Sequence, residues 1–62
     1  MLGERIKCYI LDIGLKQTVV AERANIPQNT LSAMLNDKRK ITAEEYFAIC
    51  KALGVNLELF AS

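Results

Sequence analysis

Gln17 to Met34 reads Q-T-V-V-A-E-R-A-N-I-P-Q-N-T-L-S-A-M, and no other segment constrains the chain as strongly. The stretch predicts two short helices joined by a tight turn. Ala21 falls where the first of them needs a small residue. Asn25 falls at the turn, and asparagine tolerates a positive φ better than most non-glycine residues. Pro27 suits the opening of the second helix, because its fixed φ is helical and its missing N–H is not needed there. Val20, Ala24, Ile26, Leu31 and Met34 supply apolar contacts that set the two helices at an angle.

The flanks are helical too. Leu2, Ile6, Tyr9, Ile10 and Ile13 recur at spacings of three and four, the mark of an amphipathic first helix, which Gly14 stops. The second helix is expected from Gln17 to Ala24, and the third from Pro27 to about Asn36. Asn36 to Ile41 reads as a polar loop. Thr42-Ala43-Glu44-Glu45 is a capping box, in which the Thr42 hydroxyl accepts from the Glu45 amide and Glu45 reaches back. A fourth helix carries Tyr46, Ile49, Cys50 and Leu53 on one face and ends at Gly54. Asn56 is placed to cap a last short helix, Leu57 to Ala61. No segment alternates with period two for long enough to suggest a strand. The expected fold is all-α, with five short helices in one domain spanning 1–62.

Composition narrows the function. A chain of 62 residues buries only ~60% of the surface it exposes when unfolded. Its hydrophobic fraction of 52% therefore implies a well-filled core or apolar surface reserved for a partner. Eight basic and seven acidic residues give a net charge of +1, weak for a nucleic-acid binder. The distribution says more than the sum: Lys38, Arg39 and Lys40 are consecutive just after the third helix, while Glu44, Glu45 and Glu58 lie in the last third. Cys8 and Cys50 lack framework spacing and are expected to be reduced and buried in a cytoplasmic protein. Met1-Leu2-Gly3-Glu4-Arg5 lacks the charged-then-apolar pattern of a targeting segment, and no apolar run approaches the ~20 residues of a membrane span.

Enzymatic chemistry has no foothold. With no histidine there is no histidine base or metal ligand. Two cysteines alone do not make a structural zinc site, and no phosphate-cradling glycine loop is present. Asp12, Glu22, Glu44 and Glu45 read as solvated helix residues, and Tyr46, Phe47 and Phe60 as core or interface. Neither a cofactor, a metal nor a small-molecule ligand is expected.

Several fragments, in order and at fixed spacing, carry a resemblance that covers nearly the whole chain. They are G-L-x-Q (Gly14, Leu15, Gln17), Ala21, I-P-Q-x-T-L-S (Ile26 to Ser32), L-N-x-K-R (Leu35 to Arg39), I-T (Ile41, Thr42) and A-L-G-V (Ala52 to Val55). The chain resembles the Cro/C1-type helix-turn-helix domain of lambdoid phage repressors and related bacterial regulators. The resemblance implies a compact lambda-repressor-like fold whose third helix enters the major groove of double-stranded DNA. Two departures stand out. Asn25 and Asp37 occupy positions where the family usually has glycine. Ile10 and Leu35 replace an Arg–Glu pair found in many members, so these two side chains are expected to pack on each other. Asp37 is expected to have a positive φ and to place a negative charge beside the phosphates.

By spacing, Gln28, Asn29, Ser32, Ala33 and Asn36 fall on the outer face of the third helix, while Leu31, Met34 and Leu35 point inward. Gln and Asn pair with adenine, and an alanine methyl contacts thymine. Gln28, Asn29, Ser32 and Ala33 are the expected base contacts; the plainer reading of Gln28 and Asn29 is that they are ordinary first-turn polar residues. Gln17, Thr30, Asn36, Lys38, Arg39 and Lys40 are the expected phosphate contacts. By resemblance, Gln17 is the backbone anchor, and Leu57 and Leu59 form a dimer contact with Phe60 turned toward the core. The function implied is a sequence-specific transcriptional regulator, a repressor binding a palindromic operator as a homodimer in the cytoplasm at the nucleoid. A reading from a different class is a protein-interaction module of the same fold that does not read DNA. An antitoxin-type regulator, compatible with L-N-x-K-R-x-I-T, is a subclass of the first.

Overall fold

Ile6 and Ile10, one helical turn apart, fix the inward side of the first helix, α1, which spans Leu2–Asp12. The computed structural model describes residues 2–60. It continues with α2 (Gln17–Ala24), α3 (Gln28–Leu35), α4 (Ala43–Leu53) and a 3-10 turn (Leu57–Leu59). α2 packs against α3 and α4, and α1 packs against α3. No helix among the described residues is long and apolar enough to cross a membrane.

All four α-helices stop by the same device. A residue in the left-handed region follows each one: Gly14 (φ 73°), Asn25 (φ 58°), Asp37 (φ 57°) and Gly54 (φ 70°). The next amide then bonds back five residues, Leu15 to Ile10, Ile26 to Ala21, Lys38 to Ala33 and Val55 to Cys50, at 2.9–3.1 Å. This is the Schellman arrangement, which satisfies carbonyls that a helix end would leave open. Asparagine and aspartate fill two of the four positions because their short polar side chains tolerate that backbone best after glycine.

The core forms where these helices meet. Ile6, Val20, Leu31, Met34 and Ile49 have no exposed surface. Ile10 and Leu35 are buried in the same cluster, each 1% exposed, so apolar packing stands where an ion pair would have had to be desolvated. Phe60 closes the open end. Its ring meets those of Tyr9 and Tyr46 edge-on, with centroids 5.5 and 6.5 Å apart. Its carbonyl accepts from Arg5 Nη1 at 3.0 Å, and the Tyr46 hydroxyl donates to the Leu57 carbonyl.

Four sequence expectations need correction. Ile13 lies past the end of α1 and is 49% exposed, because the Gly14 stop pulls it off the buried face. The last helix is only a 3-10 turn at Leu57–Leu59, and the Asn56 side chain does not cap it; contacts from Tyr46 and Arg5 hold this segment instead. Ala61, the expected end of that helix, lies outside the described residues. Cys50 is buried but Cys8 is exposed, because it projects from α1 roughly opposite Ile6 and Ile10; both thiols are free.

Candidate nucleic-acid interface

The turn at Asn25 sets the geometry of the outward face. It ends α2 and leaves only Ile26 and Pro27 before α3 begins. Leu31, Met34 and Leu35 anchor α3 in the core, so its other side must face out. Gln28, Asn29 and Asn36 are exposed there, and Thr30, Ser32 and Ala33 are half-buried. The structure therefore gathers the four expected base-reading residues on one side of one helix.

Their hydrogen bonds distinguish them. The Asn29 Oδ1 accepts from the Thr30 amide at 3.0 Å, which ties the oxygen end of that side chain to the helix's own backbone. One of the two lone pairs of that oxygen is thereby used, so the acceptor end of Asn29 is partly engaged. Gln28 has no such internal tie among the described residues, so its amide is the one with both ends open. It also stands first in α3, at the N-terminal end of that helix.

Gln17 opens α2 behind Lys16, with no side-chain cap and no acidic residue in the first turn. The first amides of that turn are thus open to an anion such as a phosphate. Beyond α3, Lys38 and Lys40 are exposed. Arg39 lies between them but is engaged: its Nη1 meets Glu45 Oε1 at 2.8 Å and the Lys40 carbonyl at 3.3 Å. The same Glu45 oxygen accepts from the Thr42 amide at 2.9 Å, completing the capping box of α4. Arg39 first, and then Thr42, hold the Glu45 carboxyl at about 2, well below its ordinary value. Asn36 is engaged as well. Its Oδ1 accepts from Lys7 Nζ at 2.9 Å, and its Nδ2 donates to the Ser32 carbonyl at 2.9 Å.

Two residues of this region were missed by reading the sequence. Gly3 lies inside α1, where that helix touches the end of α3. A Cβ there would meet the Met34 carbonyl oxygen at 2.1 Å and Asp37 Oδ1 at 2.7 Å. Asp37, besides stopping α3, accepts the Gly3 amide at 3.1 Å, one of the open donors of α1. Its carboxylate, expected only as a negative charge, is thus a bond between helices. The available signal for Gly3 was an isolated glycine in a helical pattern, which marks close packing. Lys7 carried no signal, since its partner lies on another helix. Leu57 and Leu59, the expected dimer residues, are 37% and 43% exposed, beside the buried Phe60.

A family model described as Helix-turn-helix matches residues 9–60. No curated protein and no solved structure matches the chain.

Proposed function

Because the chain belongs to the Cro/C1-type helix-turn-helix family of DNA-binding domains, we propose that it is a sequence-specific transcriptional repressor acting at a palindromic operator. In this reading α3 lies in the major groove. Gln28 and Asn29 read bases, with Ser32 and Ala33 beside them. Gln17, Thr30, Lys38 and Lys40 hold the backbone, whereas Asn36, engaged at both ends of its amide, and Arg39, paired with Glu45, contribute only when released. Two copies pair through Leu57 and Leu59 about a two-fold axis, so that residue i meets its own counterpart. Occupancy of the operator then excludes polymerase. Domains of this family are typically non-enzymatic, and the place of action is the cytoplasm, at the nucleoid.

The observation that carries the reading is the division of α3: three apolar side chains in the core, and an outward row that begins with an amide free at both ends. Selection from a random pool of double-stranded DNA tests it. The expected product is an inverted repeat whose half-sites lie ~34 Å apart, about one helical turn. A second reading, a protein-interaction module, is favoured by exposed Leu11, Ile13 and Phe47, which DNA binding does not use. A pool from which low salt enriches no sequence would replace the first reading with the second.

A further inference from the structure

Lys7 lies on α1, before the matched residues 9–60, yet its ammonium sits at the end of α3. We infer that Lys7 is a phosphate-contacting residue of the DNA interface and that Asn36 is the residue that positions it. The inference rests on the reading of α3 as the groove-facing helix.

The argument begins with the chemistry of the two groups. An ammonium has three donors and no acceptor. The 2.9 Å bond from Lys7 Nζ therefore fixes which end of the Asn36 amide faces α1: it must be Oδ1. The Nδ2 end is then turned to α3 itself, onto the Ser32 carbonyl at 2.9 Å, with the Ser32 hydroxyl at 3.5 Å. Asn36 is held at both ends within the chain, so it is poorly placed to serve as a free anchor. What it presents is the cation it holds.

That cation has a use where it stands. α3 has no basic residue in its last turn, although the C-terminal end of a helix favours a positive charge. Lys7 supplies one from a neighbouring helix. Asp37, the acidic residue next to Asn36, is turned to the Gly3 amide and is not its hydrogen-bond partner. Two of the three ammonium donors remain after the bond to Asn36. Lys38 and Lys40 follow within the same loop, so Lys7 adds a third point of positive charge at the end of the helix. A phosphate of the strand that borders this end completes the ammonium's donors. A bond that only tied α1 to α3 would not require charge, since an uncharged donor would serve.

The experiment measures the affinity of the purified chain for its selected duplex, and for a scrambled duplex, across salt concentration. Lys7→Gln keeps a donor for Asn36 and removes the charge. It should weaken both duplexes by a similar factor and lower the slope of log K against log salt by ~0.9. Lys7→Arg should retain the slope. Asn36→Leu leaves the charge but releases it, so it should lower the slope in part, and Lys7→Gln added to Asn36→Leu should then cost less than in the wild-type chain. An unchanged slope in Lys7→Gln, with wild-type binding intact, overturns the phosphate role of Lys7 alone. Equal costs of Lys7→Gln in both backgrounds overturn the positioning role of Asn36. A wild-type chain that binds neither duplex at low salt overturns the DNA-binding reading itself and this inference with it.

Discussion

Gly3→Ala separates local propensity from packing, because the two predict opposite signs. Alanine is the better helix former, by up to about 1 kcal/mol, and Gly3 stands in the first turn of α1, so α1 taken alone should gain at most that much. The tertiary structure says otherwise. The new methyl carbon would stand 2.1 Å from the Met34 carbonyl oxygen. Ordinary C···O contacts close at roughly 3.3 Å, so α1 would have to retreat by about 1.2 Å. The obstacle is backbone, so no rotamer change relieves it. Overpacking of this kind costs about 1–3 kcal/mol. The retreat also stretches the bond from the Gly3 amide to Asp37, a further loss of about 1 kcal/mol. Set against the propensity gain, the net loss is about 1–3 kcal/mol, or a Tm lower by about 5–20 °C for so small a domain. Thermal unfolding followed by circular dichroism reads this directly. Gly14→Ala is the control: nothing lies within 4 Å of its Cβ, so only the positive φ counts against it, at about 1–2 kcal/mol. Adding Asp37→Gly to Gly3→Ala removes the softer contact and should restore little, since the Met34 carbonyl stays. A Gly3→Ala chain that melts at or above the wild-type temperature would refute the reasoning.

Three other outcomes are expected. Glu45 has a carboxyl lowered from 4.5 to about 2 in the folded chain, first by Arg39 and then by Thr42; its contribution to stability is whole above the unfolded value and fades as pH falls from there toward 2, so Tm measured against pH should show a smaller acid loss in Glu45→Gln. Gln28→Ala should cost ~1–3 kcal/mol of affinity and relax preference at one position of each half-site, whereas Lys38→Ala should weaken all sequences alike; identical uniform losses for both variants would void the division into reader and anchor. Sedimentation should reveal a concentration-dependent dimer that Leu57→Glu abolishes, and a strict monomer at millimolar concentration would remove the proposed pairing.

Much of this molecule could be read before its structure, and the reasons differ by residue. The bounds of α2 were legible because each end has a local cause: Gln17 follows a glycine-led turn, and Asn25 tolerates the backbone that stops a helix. The capping box at Thr42 and Glu45 was legible for the same reason, since both partners lie within one turn. The burial of Ile10 with Leu35 followed from their joint departure to apolar residues. Ile13 misled because hydrophobic spacing carries on past a stop that depends on Gly14. The partners of Gly3 and Lys7 were out of reach, although the isolated glycine itself was a signal. Each is defined by where α1 crosses the end of α3, and no pattern within one helix contains that crossing. For the site, the outward face of α3 could be counted from its periodicity. Which of its amides are free could not, because Asn29 and Asn36 are engaged by an adjacent amide and by a lysine 29 residues away.

The stops at Asn25 and Asp37 clamp α3 at both of its ends, and Gly3 and Lys7 fasten the second clamp to α1. A helix held this way has little freedom to be re-aimed. New preferences therefore have to arise by exchanging the side chains it displays while their frame stays in place. In the proposed role, Gln28, Asn29, Ser32 and Ala33 are type set in a fixed block, and the same block should accept the letters of another reader.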